Sequence, residues 1–157
     1  DLELNSILRG DEISYFRKAE KIIASRKVEL IDNKEDIIIN TDKITYLKEK
    51  DEIFTEGQTV ANIQSKYKFS TSDVKLSKIK MELSSPNKSV ITDNTLSLYE
   101  AENFNFQIED ELLKASNILI VENKKAKKGE SDRLFFESGF FNFKNKEFKT
   151  GYSKIEL

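Results

Sequence analysis

The chain has 157 residues, with 26 Lys plus Arg against 28 Asp plus Glu and a net charge of −2, and that length suits one domain able to hide roughly two-thirds of its unfolded surface. Interleaved signs argue against a nucleic-acid partner, which needs basic residues gathered on one face. The absence of His, Cys and Trp removes the commonest metal ligand, the usual general base near neutral pH and every thiol or disulfide, so neither a cofactor nor an enzymatic activity is expected.

At the N-terminus, Asp1-Leu2-Glu3-Leu4 lacks the basic and apolar regions of a signal peptide, and no apolar run anywhere reaches the roughly 20 residues of a membrane-spanning helix. A helical first turn over Asp1 to Leu8 is compatible with the sequence, as a peripheral segment 1–9. From there a phrase begins that returns four more times. Tyr15, in Asp11-Glu12-Ile13-Ser14-Tyr15, is followed 31 residues on by Tyr46, in Asp42-Lys43-Ile44-Thr45-Tyr46. Leu76 and Phe106 come at further steps of 30, and the fifth copy, Phe141-Asn142-Phe143, arrives at Phe143 after 37 more, the excess falling in the charged stretch Lys124 to Arg133. Each anchor is answered by a second apolar residue: Ile22, Ile53, Leu83 and Leu113 seven positions later, and Phe148 five after Phe143.

Between anchor and answer lie charged stretches of turn composition, such as Arg17-Lys18-Ala19-Glu20-Lys21 and Lys48-Glu49-Lys50-Asp51-Glu52. Each unit therefore reads as a β-hairpin, and five hairpins make about ten strands in one all-β domain over 1–157. Helical readings of Ile13 to Ile23 and of Glu109 to Ala115 give way to strands, because both windows fall in register with the repeat. Ser84-Ser85-Pro86-Asn87 is the clearest single turn. Gly57 and Gly151, at matched positions after second strands, read either as bulges where the chain turns a corner or as ordinary turn glycines. Asp51-Glu52 and Glu109-Asp110-Glu111 sit at turns and are expected to be solvated rather than to form an acid pair.

Alternation tells which face is dry. Ile13 and Tyr15, Val28 and Leu30, Ile37 and Ile39, Ile44 and Tyr46, and Val74 and Leu76 are apolar at i and i+2, with mostly polar neighbours between. Leu96 and Leu98, Phe104 and Phe106, Ile118 and Ile120, Phe141 and Phe143, and Ile155 and Leu157 continue the pattern. Two arrangements satisfy such a sheet: a closed sandwich or barrel with these residues as its core, or an open one in which part of the face forms a groove for an apolar ligand.

The pattern Asp42-Lys43-Ile44-Thr45-Tyr46, a charged turn, then Ile53-Phe54-Thr55-Glu56-Gly57 resembles the OstA-like repeat of the lipopolysaccharide-transport proteins, the family of the bridge protein LptA and of the periplasmic N-terminal domain of the outer-membrane assembly protein LptD. The resemblance runs from about Gly10 to Leu157, with Phe135-Phe136-Glu137-Ser138-Gly139-Phe140-Phe141-Asn142-Phe143 closer to the LptD branch. It implies an antiparallel twisted β-jelly roll, open along one seam, whose groove shields the acyl chains of lipopolysaccharide in the periplasm at the outer membrane. On this reading the lipid-groove residues are the apolar pairs from Ile13 to Phe143. The partners implied are lipopolysaccharide, further OstA-like domains joined through edge strands near Ile13 to Ile23 and Tyr152 to Leu157, and an outer-membrane barrel for an LptD-type chain; no transmembrane strand pattern follows Leu157. Lys124-Lys125-Ala126-Lys127-Lys128 is expected to be a solvated loop in preference to a site for head-group phosphates. The competing reading is a structural or adhesive β-module with a closed core, its partners docking on edge strands.

Overall fold

The computed structural model describes residues 6–95, 97–121 and 133–150, and the backbone of 153–156. Fourteen antiparallel strands form one sheet, with no helix among the described residues. They are β1 (Ser6–Arg9), β2 (Glu12–Phe16), β3 (Lys21–Asp32), β4 (Ile37–Leu47), β5 (Glu52–Ile63), β6 (Tyr67–Ser72) and β7 (Lys75–Ser77), then β8 (Glu82–Ser85), β9 (Ser89–Asp93), β10 (Leu98–Gln107), β11 (Leu112–Val121), β12 (Arg133–Asn142), β13 (Glu147–Thr150) and β14 (Ser153–Glu156). Six of them, in the cyclic order β5, β6, β9, β10, β8, β7, pair into a closed antiparallel ring that spans the bend line described below, and the others extend the sheet on both sides.

The hairpin repeat is visible in the register. Four anchors face their own answers, Tyr15 opposite Ile22, Tyr46 opposite Ile53, Leu76 opposite Leu83 and Phe106 opposite Leu113; in the fifth copy Phe141, not Phe143, takes the anchor's place opposite Phe148, and Phe143 lies in the turn. Each answer also faces the next anchor, so one apolar ladder crosses the sheet from β2 to β13. A second ladder runs parallel to it through Leu8, Leu30, Ile39, Ala61, Phe69, Ile91, Tyr99, Ile120 and Leu134. The anchor turns share one geometry, a four-residue loop whose last residue is left-handed. Glu20, Asp51, Met81, Glu111 and Lys146 all take positive φ, between 46° and 59°. Successive turns are also tied by backbone bonds, Lys48 N–H to Glu20 C=O, Lys78 N–H to Asp51 C=O, Ile108 N–H to Met81 C=O and Phe143 N–H to Glu111 C=O, at 2.9–3.0 Å.

Four breaks in the strand list are bends. β1 and β2 both pair with β3, β6 and β7 with β5, β8 and β9 with β10, and β13 and β14 with β12, so the fourteen strands are ten bent runs. The long strands bend at the same level, with register shifts between Ser25 and Val28, Thr41 and Lys43, and Glu102 and Asn105. Left-handed residues mark the line: Lys27, Gly57, Asp73, Asn103 and Asn117. A bulge inserts one residue and turns the strand, which leaves backbone groups without ladder partners. Buried hydroxyls take them up: Thr55 Oγ1 accepts the Val74 N–H at 2.8 Å, Thr59 donates to Gly57 C=O at 3.0 Å, and Ser85 donates to Ser72 C=O at 2.7 Å. Bending turns the two ladders toward each other. Phe69 of the second ladder packs against Phe106 of the first at 5.0 Å between centroids and against Phe104, two residues before it in β10, at 5.3 Å, and Tyr99 meets Phe141 at 5.3 Å.

Three sequence expectations are corrected here. Residues 6–9 are not a peripheral helical turn: β1 pairs with β3, and Leu8 packs on the core. Ser84 to Asn87 does not reverse the chain, since β8 and β9 lie on the same neighbour; Pro86 sits at the bend, where no ladder bond is needed. The N-terminal edge is β2 and β1 alone, because Ile22 and Ile23 belong to β3 one strand further in. Gly57 does occupy a bulge, while Gly151, Leu157 and the whole lysine-rich loop lie outside the described residues.

Candidate functional site

The dry face decides what this domain can hold. Val28, Leu30, Ile37, Ile39, Ile44, Tyr46, Val74, Leu76, Phe104, Phe106, Ile118, Ile120, Phe141 and Phe143 are all buried in one core. Leu98 is half-buried on the outer face, because its neighbour Tyr99 takes the core position opposite Ile120, and Leu96 lies outside the described residues. Over most of its length the face is therefore filled by its own side chains. Phe141 and Phe143 pack edge to face at 4.7 Å, and Tyr67 meets Phe143 at 4.8 Å.

Ile13 and Tyr15 are the exceptions. They stand opposite Ala24 and Ile22, hence on the inner face, yet they are 52% and 56% exposed. Nothing in the sequence separates them from the buried pairs. Their position does: along the first ladder exposure falls from Tyr15 through half-buried Ile22 to buried Tyr46, so the inner face surfaces at the β2 edge as an apolar mouth. Phe16 and Ile7, exposed on the outer side of the same strands, widen the apolar rim.

The edge opposite the bend is closed by buried charge. Hairpin turns form two rows, one at the anchor turns and one at Asn33–Asp36, Gln64–Lys66 and Asn94–Ser97. Asp32, at the start of the second row, places Oδ2 3.0 Å from Lys78 Nζ of the anchor row, with both side chains at most 6% exposed. This is an ion pair off the hydrogen-bonding direction, while Asp32 Oδ1 accepts the backbone N–H groups of Lys34 and Glu35. Next along, Tyr67 donates its hydroxyl to Glu111 at 2.6 Å and Lys66 Nζ lies 3.4 Å from the same carboxylate oxygen. Third, Lys146 Nζ lies 3.3 Å from Asp93 Oδ2, which also accepts the Tyr99 hydroxyl at 2.9 Å; Asp93 Oδ1 takes the Thr95 hydroxyl at 2.6 Å.

The contacts of Asp93 and Glu111 favour their ionised forms. Burial alone would push the Asp93 carboxyl up, but the hydrogen bonds from Thr95 and Tyr99 and the Lys146 ammonium hold it below the usual carboxylate range. Glu111 is lowered in the same way, burial being outweighed by Tyr67, Lys66 and Lys144. Burial, and then the neighbouring carboxylates, push both tyrosine hydroxyls well up.

Sequence reading missed this seam. Glu111 was expected to be solvated and is buried, because the closing edge folds over its turn; Asp51 also has a partner, accepting the Tyr46 hydroxyl at 2.8 Å. The signal was parity. Asp32 follows Val28 and Leu30, and Asp93 follows Ser89 and Ile91, as acids on a face otherwise apolar or hydroxylic.

On the outer face, Ser84, Asn105, Lys114, Phe140 and Lys149 line a shallow depression, and the Lys114 ammonium lies over the Phe140 ring at 5.1 Å. Among the described residues no group of acids is arranged to hold a metal ion. Compared with models of known protein families and with curated proteins, the sequence matches none.

Proposed function

We propose that this domain carries lipid in lipopolysaccharide transport and assembly at the outer membrane of a Gram-negative envelope, its bent sheet being an open-seam β-jelly roll of OstA-like type. The observation that carries the reading is the apolar inner face that continues without interruption from the buried ladders to the exposed Ile13 and Tyr15 at the β2 edge. Each acyl CH₂ taken from water into such a face gains roughly 0.8 kcal/mol, so a mouth of this kind would hold chains that the periplasm would otherwise expose. No catalytic step is needed. The edges β1 and β2 at one end and β13 and β14 at the other present backbone for strand addition to neighbouring domains of the same kind, LptA-like or LptD-like, with a barrel as the terminal partner.

The filled interior favours a second reading, a structural or adhesive module with a closed core. Photo-crosslinking separates the two: a photoreactive residue at Ile13, Tyr15 or Ile44, with outward controls at Ser14 and Thr45, incubated with lipopolysaccharide. Labelling at the three inner positions and not at the controls supports lipid carriage. Equal or absent labelling in a folded domain supports the structural module.

A further inference from the structure

The two sides of the folded sheet are built from different bonds. At the bend the chain is continuous and its strays are tied by backbone and hydroxyl bonds, as in Thr55 N–H to Val74 C=O at 2.8 Å. Across the opposite edge, among the described residues, no backbone hydrogen bond and no strand pair joins one row of turns to the other. What joins them is side chains at three places, with a regular stagger. The first turn of the second row meets the third anchor turn (Asp32 and Lys78), the second meets the fourth (Lys66 and Tyr67 with Glu111), and the third meets the fifth (Asp93 and Lys146). The polarity alternates, with the acid in the second row, then the anchor row, then the second row again. The stagger leaves the first two anchor turns, Arg17–Glu20 and Lys48–Asp51, beyond the last clasp. It is there that Ile13 and Tyr15 come to the surface.

From this we infer that the fold is a hinge and a latch: the bend line is the hinge, the three clasps are the latch, and releasing them lets the two half-sheets part as units and expose the aromatic core along the seam. Each half-sheet keeps its own ladders when this happens, since none of its backbone bonds crosses the seam. Side chains then become reachable while backbone amides stay protected. Global unfolding exposes both together. The inference concerns the molecule's own motion and stands whether or not the cargo is a lipid.

The test uses the absence of native cysteine. Ala61→Cys puts one thiol on the second ladder at a position fully buried in the closed form. Its rate of modification by a small thiol reagent is compared in the native background and with Asp32→Asn, Glu111→Gln and Asp93→Asn, singly and combined. Amide hydrogen exchange of β4 and β5 is followed in the same samples. Each clasp is a hydrogen bond or ion pair to a buried charge, so labelling is expected to rise about ten-fold or more per clasp removed. Exchange across the β4–β5 ladder should change less than two-fold. Unchanged labelling overturns the latch, because the clasps then do not hold the seam. Labelling and exchange rising by the same factor overturns the hinge, because the sheet then opens only by unfolding. Should the combined variant fail to fold, Lys146→Met, which removes the ammonium from beside Asp93 and the Phe143 ring, gives the same two readouts for one clasp.

Discussion

Gly57 lies in the bulge of β5 with φ +87°, and a Cβ built there would stand 2.5 Å from Asp42 Oδ2. Gly57→Ala therefore meets two separable penalties. Left-handed backbone costs a non-glycine residue about 1–2 kcal/mol. The Asp42 contact adds less, since a half-turn of that exposed side chain relieves it; a displaced rotamer costs about 0.5–1.5 kcal/mol. Against these stands the gain from stiffening the unfolded chain, about 0.4–1 kcal/mol where the native conformation suits alanine. The net expectation is a loss of about 1–2 kcal/mol, which for a domain of this size lowers Tm by roughly 2–8 °C. Urea unfolding of the wild type, Gly57→Ala, Asp42→Ala and the double variant makes a cycle that separates the parts. The double variant should recover only the contact portion, leaving the backbone portion intact. A neutral or stabilising Gly57→Ala would show that the bulge does not require a left-handed residue, and the account of the bend line would fail with it.

Phe69→Ala removes the ring that packs on both Phe104 and Phe106 and should cost about 3–5 kcal/mol in urea unfolding; a cost near 1 kcal/mol would mean that the half-sheets do not pack there. The lowered carboxyls of Asp93 and Glu111 bind protons less readily folded than unfolded, so their contribution is present above the ordinary carboxylate range and is lost as pH falls below about 4. Thermal melts should show Asp93→Asn and Glu111→Gln flattening that acid limb. Tyr67 and Tyr99 are shifted the other way: the unfolded chain gives up their protons first, so stability falls as pH rises above about 10, and Tyr67→Phe should soften that limb. Ile13→Asp with Tyr15→Asp changes two exposed side chains and should leave stability within about 0.5 kcal/mol while abolishing lipid labelling at the mouth.

The thirty-residue period carried most of the fold, for a local reason. An anchor and its answer seven positions on are joined by one short turn, so their pairing is set by nearby chain, and Tyr46 finds Ile53 because Lys48 to Asp51 leave it little else. Parity carried the face for the same reason. Two strands with identical alternation nevertheless ended differently: Ile13 and Tyr15 are exposed whereas Ile44 and Tyr46 are buried. The cause is position in the sheet, since β2 pairs with β3 alone whereas β4 is flanked by β3 and β5, and no property of their own residues encodes it.

Whether such a sheet is an open groove or a filled core is hidden from the sequence by the same limit. An amphipathic ladder has one pattern in either state, since Phe69 is apolar whether it meets Phe106 or an acyl chain. The choice rests on contacts between residues 44 to 53 positions apart, Tyr67 with Glu111, Asp32 with Lys78 and Asp93 with Lys146, and on the cost of leaving those charges without partners. Burying three acids at one edge of an otherwise apolar face is a poor route to a core that only has to stay shut, because apolar residues of similar volume would close it at least as firmly. Charged pairs differ from them in one respect that bears on function: once parted, each partner is solvated by water, so the open edge is far less costly than an open apolar seam would be. The acids at Asp32, Asp93 and Glu111 thus make the seam strong when closed and tolerable when open, a combination suited to a face that must be uncovered and covered again.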